Sequence, residues 1–112
     1  MEKAPFRRTN RRLTARIACQ LTVSYRTTKD WHPATAMDLS RNGCRLRLGE
    51  DLARDAAVTV RATHPGKDGG PGLAADIDGH VIWSRLEGLS HQVGIQFDSD
   101  PQELHEVLAA LG

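Results

Sequence analysis

The chain has 112 residues, with 15 lysines and arginines, 14 aspartates and glutamates, and a formal net charge of +1. This length fits one domain with a modest core, and the near-neutral charge argues against a polyanion-binding surface spread over the whole protein. The apolar runs are far shorter than the roughly 20 residues of a membrane span, and no secretory signal is visible. We therefore expect a cytoplasmic protein without membrane insertion.

Positive charge is concentrated before residue 17, where six basic residues stand against the single acid Glu2. These are Lys3, Arg7, Arg8, Arg11, Arg12 and Arg16. The same segment has few apolar residues and no steady period, which predicts a flexible basic N-terminal arm over residues 1–16. Residues 17–112 would then form the folded part of a single domain.

Alternation of apolar and polar residues begins at Ile17 and predicts six short strands. They are expected near residues 17–25, 31–39, 44–48, 58–62, 73–83 and 93–97. Asn42-Gly43 predicts a tight turn before the third strand. Asp78-Gly79 predicts a turn or bulge within the fifth, since Val81 and Trp83 continue an alternating pattern beyond it.

The period changes at the C-terminus, where Asp100, Pro101 and Glu103 suit the cap, the first position and the third position of a helix. The apolar residues that follow have helical spacing; they are Leu104, Val107, Leu108 and Leu111. Six strands and one terminal helix predict an all-β protein, a small closed or nearly closed antiparallel barrel with one C-terminal α-helix.

Catalytic and metal-binding patterns are missing from the sequence. The five histidines lack metal-ligand spacing, and the chain has neither a P-loop nor a recognisable nucleophile motif. Cys19 and Cys44 fall at apolar positions of predicted strands and are expected to be reduced, buried small hydrophobes. We therefore expect no enzyme, no metal and no cofactor.

Two clusters carry binding chemistry. Arg11, Arg12 and Arg16 offer planar forks of donors that match phosphate and the acceptor edge of guanine, although a solvated basic tail has the same composition. In the stretch 38–43, Asp38 could accept from a base amino or imino group, Ser40 could bond a base edge, and a glycine would let backbone approach a ligand. The alternative is that these side chains only cap a turn.

Arg12-x-x-x-Arg16 followed by Asp38-x-Ser40-x-x-Gly43 resembles the PilZ domain family. The resemblance extends over residues 7–111, and the sequence of residues 93–97 resembles that family's last strand. It implies a six-stranded PilZ-type β-barrel that binds the bacterial second messenger cyclic di-GMP and passes the signal to a partner.

The resemblance also implies roles for the arginines. Arg12 and Arg16 would clamp the phosphates and guanine Hoogsteen edges of the ligand, and Arg11 would contact a second guanine. An arginine in that place is associated with two intercalated ligand molecules per chain. The spacing leaves the arginine register open, because Arg7/Arg11 and Arg8/Arg12 have the same separation as Arg12/Arg16.

Further roles are implied for the second motif and the fifth strand. Asp38 and Ser40 would read a guanine edge, and Gly43 would shape the turn. Trp83 falls where some family members have an aromatic residue that stacks on guanine; an ordinary core tryptophan is the alternative. Arg41 could face the ligand or lie in solvent.

The resemblance thus implies a protein that binds cyclic di-GMP, two molecules per chain, and relays it to an unidentified effector protein by ordering of the arm and a change of surface. One alternative is a PilZ-like adaptor that binds protein without nucleotide, against which retention of both motifs argues. Another is a basic-arm barrel that binds nucleic acid, for which five aromatic residues are few. We therefore expect no nucleic-acid partner.

Overall fold

The computed structural model describes residues 17–65 and 72–111. These residues form six strands and one helix. They are β1 (Ile17–Arg26), β2 (His32–Leu39), β3 (Gly43–Leu48), β4 (Ala57–His64), β5 (Leu73–Glu87), β6 (Ser90–Phe97) and α1 (Gln102–Leu111). The arginine-rich arm lies outside the described residues, as do residues 66–71 of the predicted loop between β4 and β5.

The strands form a closed barrel in the order β1-β2-β3-β6-β5-β4, with every neighbouring pair antiparallel. Alternate side chains of each strand point inward, which is why the apolar residues of period two meet in one core. The largest fully buried side chains include Leu39, Leu46, Ile77, Ile95 and Leu104. The predicted antiparallel barrel with one C-terminal helix is confirmed.

Helix α1 packs against β5, β4 and β1 and buries Leu104 and Val107, one turn apart on the same face. Leu108 and Leu111 extend this apolar face at partial exposure. The apolar residues that the C-terminal periodicity predicted therefore form the face of α1 that packs on the barrel core.

The expected turn or bulge at Asp78-Gly79 is wrong, because β5 runs without interruption through both residues. Gly79 pairs with Val58 on one side and Phe97 on the other. A Cβ at this position would lie 2.5 Å from the Gln96 carbonyl oxygen, so the glycine permits close approach of β6 rather than a turn. The irregularity of β5 lies further along, between Val81 and Trp83.

Candidate ligand-binding site

The turn between β2 and β3 is held by Ser40. Its hydroxyl donates to the Gly43 carbonyl and accepts from the Asn42 and Gly43 amides, each at 3.2 Å, and its own amide donates to the same carbonyl at 2.9 Å. Ser40 is 1% exposed. In this structure the hydroxyl of Ser40 is therefore engaged by the turn itself.

Gly43 fits the turn against β6. A Cβ on Gly43 would lie far inside 3.0 Å of the Ile95 carbonyl oxygen, a distance that a real Cβ does not adopt. The Phe97 amide also donates to the Asn42 carbonyl at 2.8 Å. The turn is thus fixed to the end of β6, and only a glycine at position 43 allows that approach.

Asp38 and Arg45 face each other across the antiparallel pair formed by β2 and β3, on the outer surface of the barrel. Arg45 Nε lies 3.4 Å from Asp38 Oδ2, and the two side chains are 40% and 14% exposed, respectively. Arg45 Nε is buried and makes no hydrogen bond within residues 17–65 and 72–111. The Arg45 guanidinium carries five N–H donors, so it can bind Asp38 and an acceptor on a ligand at the same time.

Trp83 is turned to the outside of the barrel by a bulge. Val81 pairs with Ile95, whereas Trp83 pairs with Gly94, so Ile82 is an extra residue on β5. The extra residue reverses the inward and outward alternation, and Trp83 is 36% exposed whereas Val81 is fully buried. The alternative of an ordinary core tryptophan is therefore wrong, and stacking of Trp83 on guanine stays a prediction.

Gly94 provides the surface on which the indole of Trp83 lies. The position that a Cβ of Gly94 would occupy is 2.9 Å from Trp83 Cδ1 and closer still to Nε1 and Cε2. The indole therefore covers the bare backbone of β6. Its ring also has the Arg85 guanidinium near it, with Cζ 5.4 Å from the ring centroid.

A cavity of about 310 Å³ joins these features. Its lining consists of Asp38, Cys44, Arg45, Ile82, Trp83, Gly94 and Ile95. The structure thus brings together two of the predicted site residues, Asp38 and Trp83, and places the turn that contains Ser40 and Gly43 directly after Asp38. The arginines at positions 11, 12 and 16 lie outside the described residues, so their place relative to the cavity stays a prediction.

Sequence reasoning missed Arg45 and Gly94 as parts of this site. For Arg45 a signal was present, since it alternates with the inward residues Cys44 and Leu46 and follows a tight turn that folds β3 back onto Asp38. For Gly94 the signal depends on the bulge at Ile82, which alternation alone does not show.

Arg41 binds Asp100, which lies just before α1, and does not lie free in solvent. Its Nη2 donates to Asp100 Oδ2 at 2.6 Å, and the other carboxylate oxygen lies 2.5 Å from His105 Nε2. The Arg41 guanidinium, and next the His105 imidazole, lower the pKa of the Asp100 carboxyl below its usual value. The turn of the second motif is therefore tied by charge to the C-terminal helix.

Two further observations concern other kinds of site. Within residues 17–65 and 72–111, no three histidine, cysteine, aspartate or glutamate side chains come together as a metal site would require. In the same ranges, no helix has both the length and the apolar character needed to cross a membrane.

Fold and geometry together define a small β-barrel domain with a candidate ligand-binding cavity on its outside. The chain belongs to the PilZ domain family, whose model matches residues 7–111. No curated protein matches the chain significantly.

Solved structures share the fold at low sequence identity. The Bacillus subtilis inhibitor of motility MotI/DgrA has a TM-score of 0.73 at 10% identity, with 88% of this chain and 48% of that chain covered. The PilZ domain of CeSA from a cellulose-synthesizing bacterium has a TM-score of 0.58 at 17% identity, with 88% of this chain and 95% of that chain covered. The Borreliella burgdorferi PlzA protein, solved in complex with c-di-GMP, has a TM-score of 0.56 at 9% identity, with 96% of this chain and 54% of that chain covered. The chain thus spans about half the length of MotI/DgrA and PlzA.

Proposed function

We propose that this chain binds cyclic di-GMP on the outer face formed by β2, β3, β6 and β5, and that it acts as a receptor rather than an enzyme. The observation that carries the proposal is the cavity lined by Asp38, Arg45 and the exposed Trp83, which lies beside the Ser40–Gly43 turn. Membership of the PilZ family and the complex of PlzA with c-di-GMP support the choice of ligand.

The chemistry of each group suits one part of a guanine nucleotide. Asp38 accepts from the amino and imino groups of a guanine, while Arg45 donates to an acceptor on the same ligand. Trp83 offers an aromatic face, on which a base stacks with a contribution of about 1–3 kcal/mol. Ser40 acts by fixing the turn, since its hydroxyl already has three partners within the turn.

The arm supplies the remaining groups in this proposal. Arg12 and Arg16 bind the phosphates and Hoogsteen edges, and Arg11 contacts the guanine of a second ligand molecule. Ligand binding orders residues 7–16 against the barrel near Asp38, and the changed surface is read by an effector protein in the cytoplasm. Slower amide exchange of residues 7–16 in the presence of ligand is the expected sign of this step.

Calorimetric titration with cyclic di-GMP tests the binding and the stoichiometry together. Each arginine can make charge-assisted hydrogen bonds of about 1.5–3 kcal/mol, so an Arg12→Ala/Arg16→Ala variant should lose at least about tenfold to a hundredfold in affinity. Two ligands per chain are expected for the wild type, and a ratio nearer one for Arg11→Leu. Lys29→Ala, in the exposed turn after β1, is the matched loss of a positive charge.

Three outcomes would contradict the proposal or part of it. Wild-type affinity in the double-alanine variant, with an intact fold, would exclude the arm from the site. Stronger binding of GTP or short single-stranded DNA than of cyclic di-GMP would show that cyclic di-GMP is not the ligand. A ratio of one in both the wild type and Arg11→Leu would show that Arg11 does not set the count.

A further inference from the structure

A second row of polar side chains lies beside the candidate site on the same outer face. Gln92 of β6 pairs with Arg47 of β3 on one side and with Arg85 of β5 on the other. Two residues along each strand, Gly94 pairs in the same way with Arg45 and Trp83. Residues two apart on a strand share a face, so both rows point outward together.

The two rows form a small rectangle. Adjacent strands are about 4.8 Å apart and residues rise by about 3.3 Å, so the corners are separated by about 7 Å along the strands and about 10 Å across them. Three corners are arginines, namely 45, 47 and 85, and the fourth is Trp83. An anion above Gln92 would be within reach of the long side chains of Arg47 and Arg85, which flank it in the second row.

A carboxylate of the protein already occupies this second row. Glu87 Oε2 lies 3.4 Å from Arg85 Nη2, and Glu87 Oε1 accepts from Gln92 Nε2. Both partners of this ion pair are more than half exposed. Among the described residues, Arg47 has no such carboxylate partner. Exposed ion pairs are weak and screened by salt, so a ligand anion can replace Glu87 on Arg85 and Gln92.

We propose that the Arg47–Gln92–Arg85 row is a second anion subsite, which binds a phosphodiester of a cyclic dinucleotide and from which Glu87 is displaced on binding. This inference rests on the proposed function, because it extends the same face. The phosphodiester belongs either to the ligand molecule that stacks on Trp83 or to a second molecule. In both cases Arg47 and Arg85 donate to its oxygens, and Gln92 Nε2 donates in place of its bond to Glu87.

Calorimetric titration of cyclic di-GMP into the wild type, Arg47→Ala/Arg85→Ala and Glu87→Gln tests the subsite. The double variant should bind at least about tenfold more weakly, with a smaller dependence on salt, because charge-assisted bonds to phosphate are lost. Glu87→Gln should bind more tightly at low salt, since the competing carboxylate is gone. Arg61→Ala and Asp76→Asn are matched controls from the exposed ion pair between β4 and β5, and should bind as the wild type does.

The outcomes separate the two sources of the phosphodiester and the two proposals. A fall in stoichiometry in the double variant assigns the subsite to a second ligand molecule, and a loss of affinity at unchanged stoichiometry assigns it to the first. Binding by the wild type with affinity, stoichiometry and salt dependence unchanged in the double variant would overturn the subsite alone. Wild-type protein that binds no cyclic di-GMP would overturn both this inference and the proposed function.

Discussion

Replacing Gly94 by alanine should damage the stacking surface while leaving the barrel intact. A Cβ at this position would meet the indole of Trp83 at 2.9 Å from Cδ1 and nearer to two other ring atoms, against ordinary contacts of about 3.4 Å or more. The backbone of Gly94 is fixed by pairing with both Arg45 and Trp83. The indole must therefore move away from β6 by an ångström or more.

The expected effects of Gly94→Ala on stability and on ligand affinity follow from the cost of overpacking and from the loss of base stacking. Overpacking of this kind costs about 1–3 kcal/mol when neighbours cannot move, but Trp83 lies on the outside and can swing into solvent, so the low end is expected for the free energy of unfolding. Loss of a base–aromatic stack costs about 1–3 kcal/mol of binding free energy. The affinity for cyclic di-GMP should thus fall by about fivefold to 150-fold with a stability change near 1 kcal/mol.

Calorimetry measures the loss of affinity, and tryptophan fluorescence measures the displacement of the Trp83 indole. A Trp31→Phe background leaves Trp83 as the only tryptophan. It removes the separate signal of Trp31, whose ring has the guanidinium groups of Arg26 and Arg61 over it. Gly49→Ala is the matched control, because a Cβ there meets nothing within 4 Å. Displaced Trp83 emission with unchanged affinity in Gly94→Ala would refute the role of the indole as a stacking surface.

Two further predictions concern the turn. Ser40→Ala removes the acceptor of two backbone amides in a buried position, so the free energy of unfolding should fall by about 1–3 kcal/mol in urea titrations; an unchanged midpoint would show that the hydroxyl does not hold the turn. Asp100→Asn should lower the melting temperature near pH 5, and the difference from the wild type should shrink near pH 2. The folded-state pKa of Asp100 is lowered by Arg41 and His105, so its stabilisation is present above the unfolded pKa of about 3.9 and is lost as pH falls through the folded pKa. An equal difference at both pH values would show that the charge of Asp100 is not involved.

The strands, the helix and the closed barrel could be predicted because each depends on local alternation or on a period change that the sequence displays. The outward orientation of Trp83 could not be predicted from alternation, since one extra residue at Ile82 reverses which side chains point outward, and alternation on both sides of a bulge looks continuous. Only the family resemblance indicated Trp83 as a site residue. The ion pair of Arg41 could not be predicted for another reason. Its partner Asp100 is 59 residues away, and such contacts depend on how the turn and the helix meet. The places of Asp38 near the end of β2 and of Gly43 at the start of β3 could be predicted because the turn between them is local.

The packed interior of the barrel determines how a bound nucleotide would be presented. Side chains such as Leu39, Leu46, Ile77 and Ile95 fill the space inside the strands, so a ligand of this size must lie against the convex exterior. A flat molecule in that position keeps one of its sides in water. A partner protein could then touch domain and nucleotide at once, with the messenger forming part of the epitope. Discrimination between the loaded and empty states would need little rearrangement of the strands beneath it.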